Sequence, residues 1–201
     1  MTELDLLLLL AAIAVPLSAL LATRAAGRWL LVAAYVAQLV LLIVLTPGEG
    51  ARSAMGFMLL GNPVGWQLDA LGWFFAVITV GAAGFAAAYA AGEWGEVNGR
   101  GGLSLRWLYG GLQINVLAML LLLSSADLIS LFIGWELTSW SGLILMLLAG
   151  GDAIRAALRY IVYALAGGMA VFAAMVITHA TVGSLQFEAL QSAATSLGTA
   201  E

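Results

Sequence analysis

The sequence predicts an all-α protein, a polytopic transmembrane helix bundle of about six helices with both termini on the outer side. Composition is the first reason. Of the 201 residues, 63% are hydrophobic and 9% are charged, whereas a soluble domain carries roughly 25% charged residues. Such a chain has too little polar surface to face water. The second reason is the length of the apolar runs, among them Leu4 to Ala22, Leu30 to Leu45, Trp107 to Leu123 and Ile161 to Ile177. Each approaches the roughly 17 to 25 residues that a helix needs to cross the hydrocarbon. The third is the backbone itself: in lipid a lone strand cannot satisfy its own N–H and C=O groups, and a helix can.

Taken in order, the predicted spans are 4–22, 29–45, 69–91, 106–124, 127–149 and 158–181, so that residues 1–182 form one transmembrane bundle. The chain opens with acidic residues, Glu3 and Asp5, and a secretory signal has a positive leader instead, so this segment reads as a retained span. Between the second and third spans, residues 46–68 hold Pro47, Gly48, Gly50, Asn62, Pro63 and Gly65. These turn formers predict a short hairpin or loop over the outer surface. Asp69 stands where the third span begins and reads as its N-cap. Trp29, Trp66, Trp73, Trp94 and Trp107 mostly flank spans, as aromatic belts do. Residues 183–201 are mildly polar and read as an outer tail, a flexible or surface segment rather than a seventh span.

Charge sets the sides. Arg24 and Arg28 follow the first span, Arg100 and Arg106 lead into the fourth, and Arg155 and Arg159 lead into the sixth. All six fall on one side, and positive residues collect on the cytoplasmic side. Only Arg52 falls on the other, in the long loop.

Several classes of function are excluded. Without cysteine the chain has no thiolate for a disulfide, an iron–sulfur cluster or a thiolate metal site. Seven arginines and no lysine, thinly spread, do not form the basic stripe of a nucleic-acid binder. There is no phosphate-binding loop, dinucleotide fingerprint, zinc-binding His pair or nucleophile elbow, so no cofactor, no metal and no soluble-type catalysis are expected.

Glu136 is the residue on which a functional reading turns, because it lies near the middle of the fifth span. A central acidic residue costs roughly 2.5 to 3.5 kcal/mol to insert and normally faces a bundle interior, a partner charge or water. At about 100° per residue, Ile129, Phe132, Ser139 and Leu143 share its face. Asp127, Ser130, Gly134, Thr138 and Ser141 fall on the opposite one. That second face is small and polar, suited to close helix contact, so little of this helix should be left to lipid. Two roles for Glu136 compete, a proton-carrying group and a permanently bonded polar anchor. Ser139, Gln113, Asn115 and His179 are candidate channel-lining residues. For Gln113 and Asn115 a hydrogen bond between helices is the commoner role. His179, the only histidine, has the titration range of a relay but falls at the outer end of its span. Gly167 and Gly168 read as helix-packing positions.

The segments Gln67-Leu68-Asp69-Ala70-Leu71, Ser125 to Leu137 around Gly134-Trp135-Glu136, Arg159-Tyr160-Ile161-Val162-Tyr163 and Thr181 to Phe187 together resemble the antiporter-like membrane subunits. These are shared by respiratory complex I, multi-subunit Na+/H+ antiporters, membrane-bound hydrogenases and inorganic-carbon uptake complexes. The resemblance runs in order from Gln67 onward, and the first two spans fit in topology only. It implies that Glu136 is a proton-channel residue paired with a lysine on a seventh helix. This chain ends where that helix would begin and has no lysine. The expectation is therefore a split or truncated subunit of a multi-subunit complex, with other membrane subunits as partners, one of them supplying a mid-membrane Lys near Glu136. The alternative is a non-pumping structural or assembly subunit. Abundant Ala, Gly and Arg point to a GC-rich bacterial source, and so to the inner (plasma) membrane.

Overall fold

Residues 1–45, 51–59 and 61–198 are described in a computed structural model of the chain. Pro47, Gly48 and Gly50 of the predicted turn, and the last three residues of the tail, lie outside them. Six helices among the described residues are long and apolar enough to cross a membrane: α1 (Glu3–Leu21), α2 (Ala25–Val44), α3 (Ala70–Ala91), α5 (Leu105–Leu123), α6 (Leu128–Leu148) and α7 (Ala153–Val182). Two shorter helices, α4 (Glu93–Arg100) and α8 (Phe187–Gly198), follow α3 and α7.

Local chemistry sets the helix starts. Thr2 caps α1 in a capping box with Asp5, and the Asp69 carboxylate accepts from the Gly72 N–H at 2.6 Å to open α3. Asp127 opens α6, taking the Ile129 and Ser130 N–H groups at 2.9 Å each. These side chains stand in for the carbonyls that the first turn of a helix lacks. At the other end of α7, Gly183 turns the chain with φ at +77°, in the left-handed region that glycine enters without a Cβ penalty.

The loop 51–68 folds as two nested antiparallel pairs, β1 (Ala51–Arg52) with β4 (Gln67–Leu68) and β2 (Phe57–Leu59) with β3 (Asn62–Val64). It is tied down from three directions. Asp5 accepts from the Ser53 hydroxyl and the Ala54 N–H, the buried Asp127 carboxylate accepts from the Gly65 N–H at 2.9 Å, and the Gln186 Nε2 donates to the Pro63 carbonyl at 2.6 Å. Both chain ends and the β-loop therefore sit at one end of the bundle. The six arginines at the span ends gather at the opposite end.

Helices α1, α2, α3 and α5 enclose the main core, which includes Leu4, Leu7, Tyr35, Leu42, Val80, Val116 and Leu120. Helix α6 lies against α5, and α7 lies against α6, so these two form a wing on a four-helix body. Only 11% of each of the α6 and α7 span windows is buried, against 28–39% for the other four. The expectation that little of α6 faces outward is thus corrected for the chain alone: Trp135 and Trp140 are 43% and 46% exposed. Helical periodicity ranks the faces of α6 but does not say how many neighbours are present to cover them.

Three further differences from the predicted layout have local causes. Helix α7 starts at Ala153, five residues before the predicted 158, and its first turns carry the exposed Arg155 and Arg159 at the bundle end. The loop before α5 holds α4, whose polar face carries Glu93, Glu96 and Arg100. The tail forms α8, with Arg52 reaching Glu188 at 3.4 Å; its 12 residues are too few to span.

Asp127→Ala removes an N-cap and leaves the Gly65 N–H without its acceptor. A loss of about 2 to 4 kcal/mol follows from the usual cost of each defect. Asp127→Asn should cost less, since its carbonyl oxygen still caps α6. Thermal unfolding of the detergent-purified chain should rank wild type above Asp127→Asn above Asp127→Ala.

Candidate functional site

The two faces of α6 meet different partners. Its small, polar face lies on α5. A Cβ added at Gly134 would approach the Leu122 backbone nitrogen to 2.6 Å, so only glycine permits this closeness. One turn on, the Thr138 hydroxyl donates to the Gly134 carbonyl at 2.9 Å. The fully buried Ser141 hydroxyl donates to the Thr138 carbonyl and accepts from Asn115 Nδ2 at 3.0 Å. In a bilayer such small-residue contacts and cross-helix hydrogen bonds hold helices together, because apolar burial drives nothing there.

The Glu136 face lies on α7, and the two helices run antiparallel. Ile129 and Met175 join one apolar cluster with Val64 and Leu185. One turn on, the rings of Phe132 and Phe172 are 6.0 Å apart. Next comes Glu136, facing Gly168. Beyond it Gly142 sits beneath the Tyr160 hydroxyl, with a built Cβ 3.2 Å from it. At the Glu136 level alone a carboxyl group takes the place of an apolar pair. It fits because the residue across from it has no side chain: a Cβ built on Gly168 would overlap Glu136 Oε1 and stand 3.3 Å from the carboxyl carbon.

Glu136 is half-buried, and among the described residues no hydrogen bond or ion pair claims its oxygens. The ion pairs found there, Arg28–Glu96, Arg52–Glu188 and Arg155–Asp152, all lie at the ends of the bundle. Beside it, between α5, α6 and α7, opens a cavity of about 390 Å³, lined by Leu122, Trp135, Ser139, Tyr160, Tyr163 and Gly167 among others. Glu136 itself does not line it.

The other candidates are dispersed. Ser139, one turn from Glu136, borders the cavity; its hydroxyl donates to the Trp135 carbonyl at 3.2 Å and its carbonyl accepts from Tyr160. Gln113 is buried and donates to the Ala11 carbonyl at 3.3 Å, joining α5 to α1. Asn115 joins α5 to α6 as described. His179 is exposed in the last turn of α7, about 16 Å along the helix from Gly168 at 1.5 Å per residue. None of these three is brought to Glu136. Gly167, expected at a packing position, instead faces open space, since a Cβ there meets nothing within 4 Å; it is one residue, and so about 100°, off the face that meets α6. No group of three metal-ligating side chains occurs among the described residues.

The sequence marks Gly168 as a packing position without its partner, and Tyr160 only as part of a motif. Periodicity assigns residues to a face, but pairing Glu136 with Gly168 requires the register between two helices.

The neighbouring glycines provide a matched test. Gly168→Ala should destabilise the chain by about 1 to 3 kcal/mol through overpacking against Glu136. Gly167→Ala, made into open space, should be neutral or stabilise by up to about 1 kcal/mol through helix propensity. Thermal unfolding in detergent should separate the pair, and Gly168→Ala combined with Glu136→Ala should recover part of the loss.

Comparison with known proteins places this geometry. Residues 125–200, which include α6 and α7, match the family model for the NADH:quinone oxidoreductase/Mrp antiporter transmembrane region. Solved structures align with 92% of the chain. They include the membrane-bound sulfane sulfur reductase, an archaeal respiratory membrane complex (TM-score 0.76, 23% identity), the Mrp complex from Dietzia sp. DQ12-45-1b (0.73, 23%) and respiratory complex I from Thermus thermophilus (0.72, 21%). The chain covers 29%, 20% and 39% of those chains respectively, so it spans well under half of each. No match was found among curated proteins. The chain thus shares the fold of these membrane complexes' subunits over 92% of its length, and residues 125–200 resemble the family's transmembrane region in sequence.

Proposed function

We propose that the chain forms six spans of a proton- or cation-translocating subunit in a multi-subunit membrane complex, with Glu136 as the group that binds and releases the proton. The observation that carries this reading is the carboxyl group seated over the bare backbone of Gly168, halfway along α6, with no donor or cation committed to it among the described residues. In general a carboxyl group shielded from water favours its neutral form, and one beside a cation its charged form. Approach and withdrawal of a cation would then load and unload the proton. No lysine is present in these 201 residues, so the proposed cation, a mid-membrane lysine, reaches Glu136 from a helix outside them. The exposed flank of α7, with Tyr163, Met169 and Phe172, offers apolar surface on which such a helix can pack.

The competing role of polar anchor requires a donor on a neighbouring helix. The donors on α5 and α7 nearest in sequence register, Asn115 and Tyr160, are engaged elsewhere. In the purified native complex, reconstituted in vesicles, Glu136→Gln should reduce coupled transport to the level of empty vesicles while leaving subunit composition unchanged. Wild-type transport in that variant refutes the proton-carrying role. Gly134→Leu should show the opposite pattern, loss of assembly, because it separates α6 from α5.

For the membrane sides, the arginine count supports both termini outside a bacterial inner membrane, with Arg24, Arg28, Arg100, Arg106, Arg155 and Arg159 inside. The absence of cysteine makes this directly measurable. A membrane-impermeant thiol reagent added to intact cells should label Glu3→Cys and spare Arg155→Cys; both positions are exposed.

A further inference from the structure

At the arginine-bearing end, the α1–α2 turn, α4 and the start of α5 surround a cavity of about 600 Å³. Thr23, Arg28, Glu96, Arg100, Ser104 and Arg106 are among the residues that line it. Three arginines against a single glutamate leave it with a positive balance.

Arg28 is the unusual member. It is 95% buried by its 5% residual exposure, at the first turn of α2, and its Nε–H has no partner among the described residues. Its one ion pair among the described residues is a long one, 3.4 Å from a terminal nitrogen to the half-exposed Glu96. A buried guanidinium with an unused donor is costly unless an acceptor completes it. Arg100, which also lines the cavity, donates its Nε–H to the Glu96 carbonyl at 3.3 Å, so that this bond does not use its terminal nitrogens. The second feature is the N-terminus of α5, a 19-residue helix. Ser104 occupies its cap position without a side-chain cap bond, so the first N–H groups of the helix, carrying the positive end of its dipole, remain open beside Arg106.

Guanidinium forks, free helix N–H groups and hydroxyls are the donor set for a phosphate oxygen cluster. The position along the bundle narrows the source. Trp29 and Trp107, next in sequence to Arg28 and Arg106, are 53% and 60% exposed, and exposed tryptophans at span ends mark the headgroup level of a bilayer. Basic pockets between transmembrane helices at that level suit anionic headgroups.

We propose that this cavity binds a phosphate-bearing anion, and that the anion is the headgroup of an anionic phospholipid. Glu96 is then a competitor for Arg28 that the headgroup displaces. The site is separate from Glu136 in sequence and in space, and it stands whatever the transport role of the chain.

Native mass spectrometry of the detergent-purified full chain tests it with three probes: phosphatidylglycerol, phosphatidylcholine and inorganic phosphate. Phosphatidylglycerol should be retained over phosphatidylcholine. The Arg100→Gln/Arg106→Gln pair, at exposed positions where folding is safe, should weaken phosphatidylglycerol retention by about 30-fold, from the usual contribution of two arginines near a headgroup. Glu96→Gln should strengthen it. Binding of inorganic phosphate without phosphatidylglycerol would keep the phosphate chemistry and overturn the lipid source. Equal retention of the two lipids with no phosphate binding, or retention unchanged in both variants, overturns the proposal. Arg28→Gln adds a direct test where its unfolding profile matches wild type.

Discussion

The Asp127 carboxylate is fully buried, and the end of the molecule that carries the β-loop is organised around it. Backbone that leaves a helix at membrane depth has no water to bond to, so each freed N–H or C=O must find protein. Asp127 answers this for several segments at once. One oxygen caps α6; the other takes the Gly65 N–H and the Ser130 hydroxyl. Around it the Ala126 N–H reaches the Gly65 carbonyl and the Leu128 N–H reaches the Leu185 carbonyl. The β-loop, the α5–α6 turn and the α7–α8 turn are joined at this point. Asp5 does comparable work for the start of α1.

That junction sets the height of Glu136. Nine residues separate it from Asp127, about 14 Å along α6 at 1.5 Å per residue. The same junction anchors the far end of α7 through Leu185, so the register that puts Gly168 opposite Glu136 is held at the β-loop end by polar bonds. Along its length the register is held by paired apolar side chains. A carboxyl group in this seam is tolerated because the missing side chain across from it leaves room; an apolar residue at 168 would force the group out or the helices apart.

The four-helix body and the α6–α7 wing divide the labour. Helices α1, α2, α3 and α5 bury large apolar side chains against one another and need no further cover on their inner faces. The wing seats one carboxyl group halfway along α6 and leaves broad apolar surface outside, including Tyr163, Met169, Phe172 and Trp135. Solved structures with this fold are two and a half to five times longer than the portion this chain covers. Charge is divided as well: arginines cluster at the end opposite the Asp127 junction, where the second cavity lies.

By itself the sequence determined the class of the protein, the number of spans and most of their limits, because length and apolarity of a run suffice to define a membrane helix and because capping residues such as Asp69 and Asp127 act within one turn. It also marked Glu136 and the small face of α6, since both follow from periodicity along a single helix. Helices α4 and α8 were not legible: they are short, and their amphipathic patterns resemble polar loop. The tertiary structure alone decided that Gln113 and Asn115 bond across helices away from Glu136, that Gly168 rather than Gly167 receives the carboxyl group, and that Arg28 is buried beside an uncapped helix. Those are relations between helices distant in sequence, fixed by crossing geometry and axial register, and one-dimensional periodicity carries no information about either.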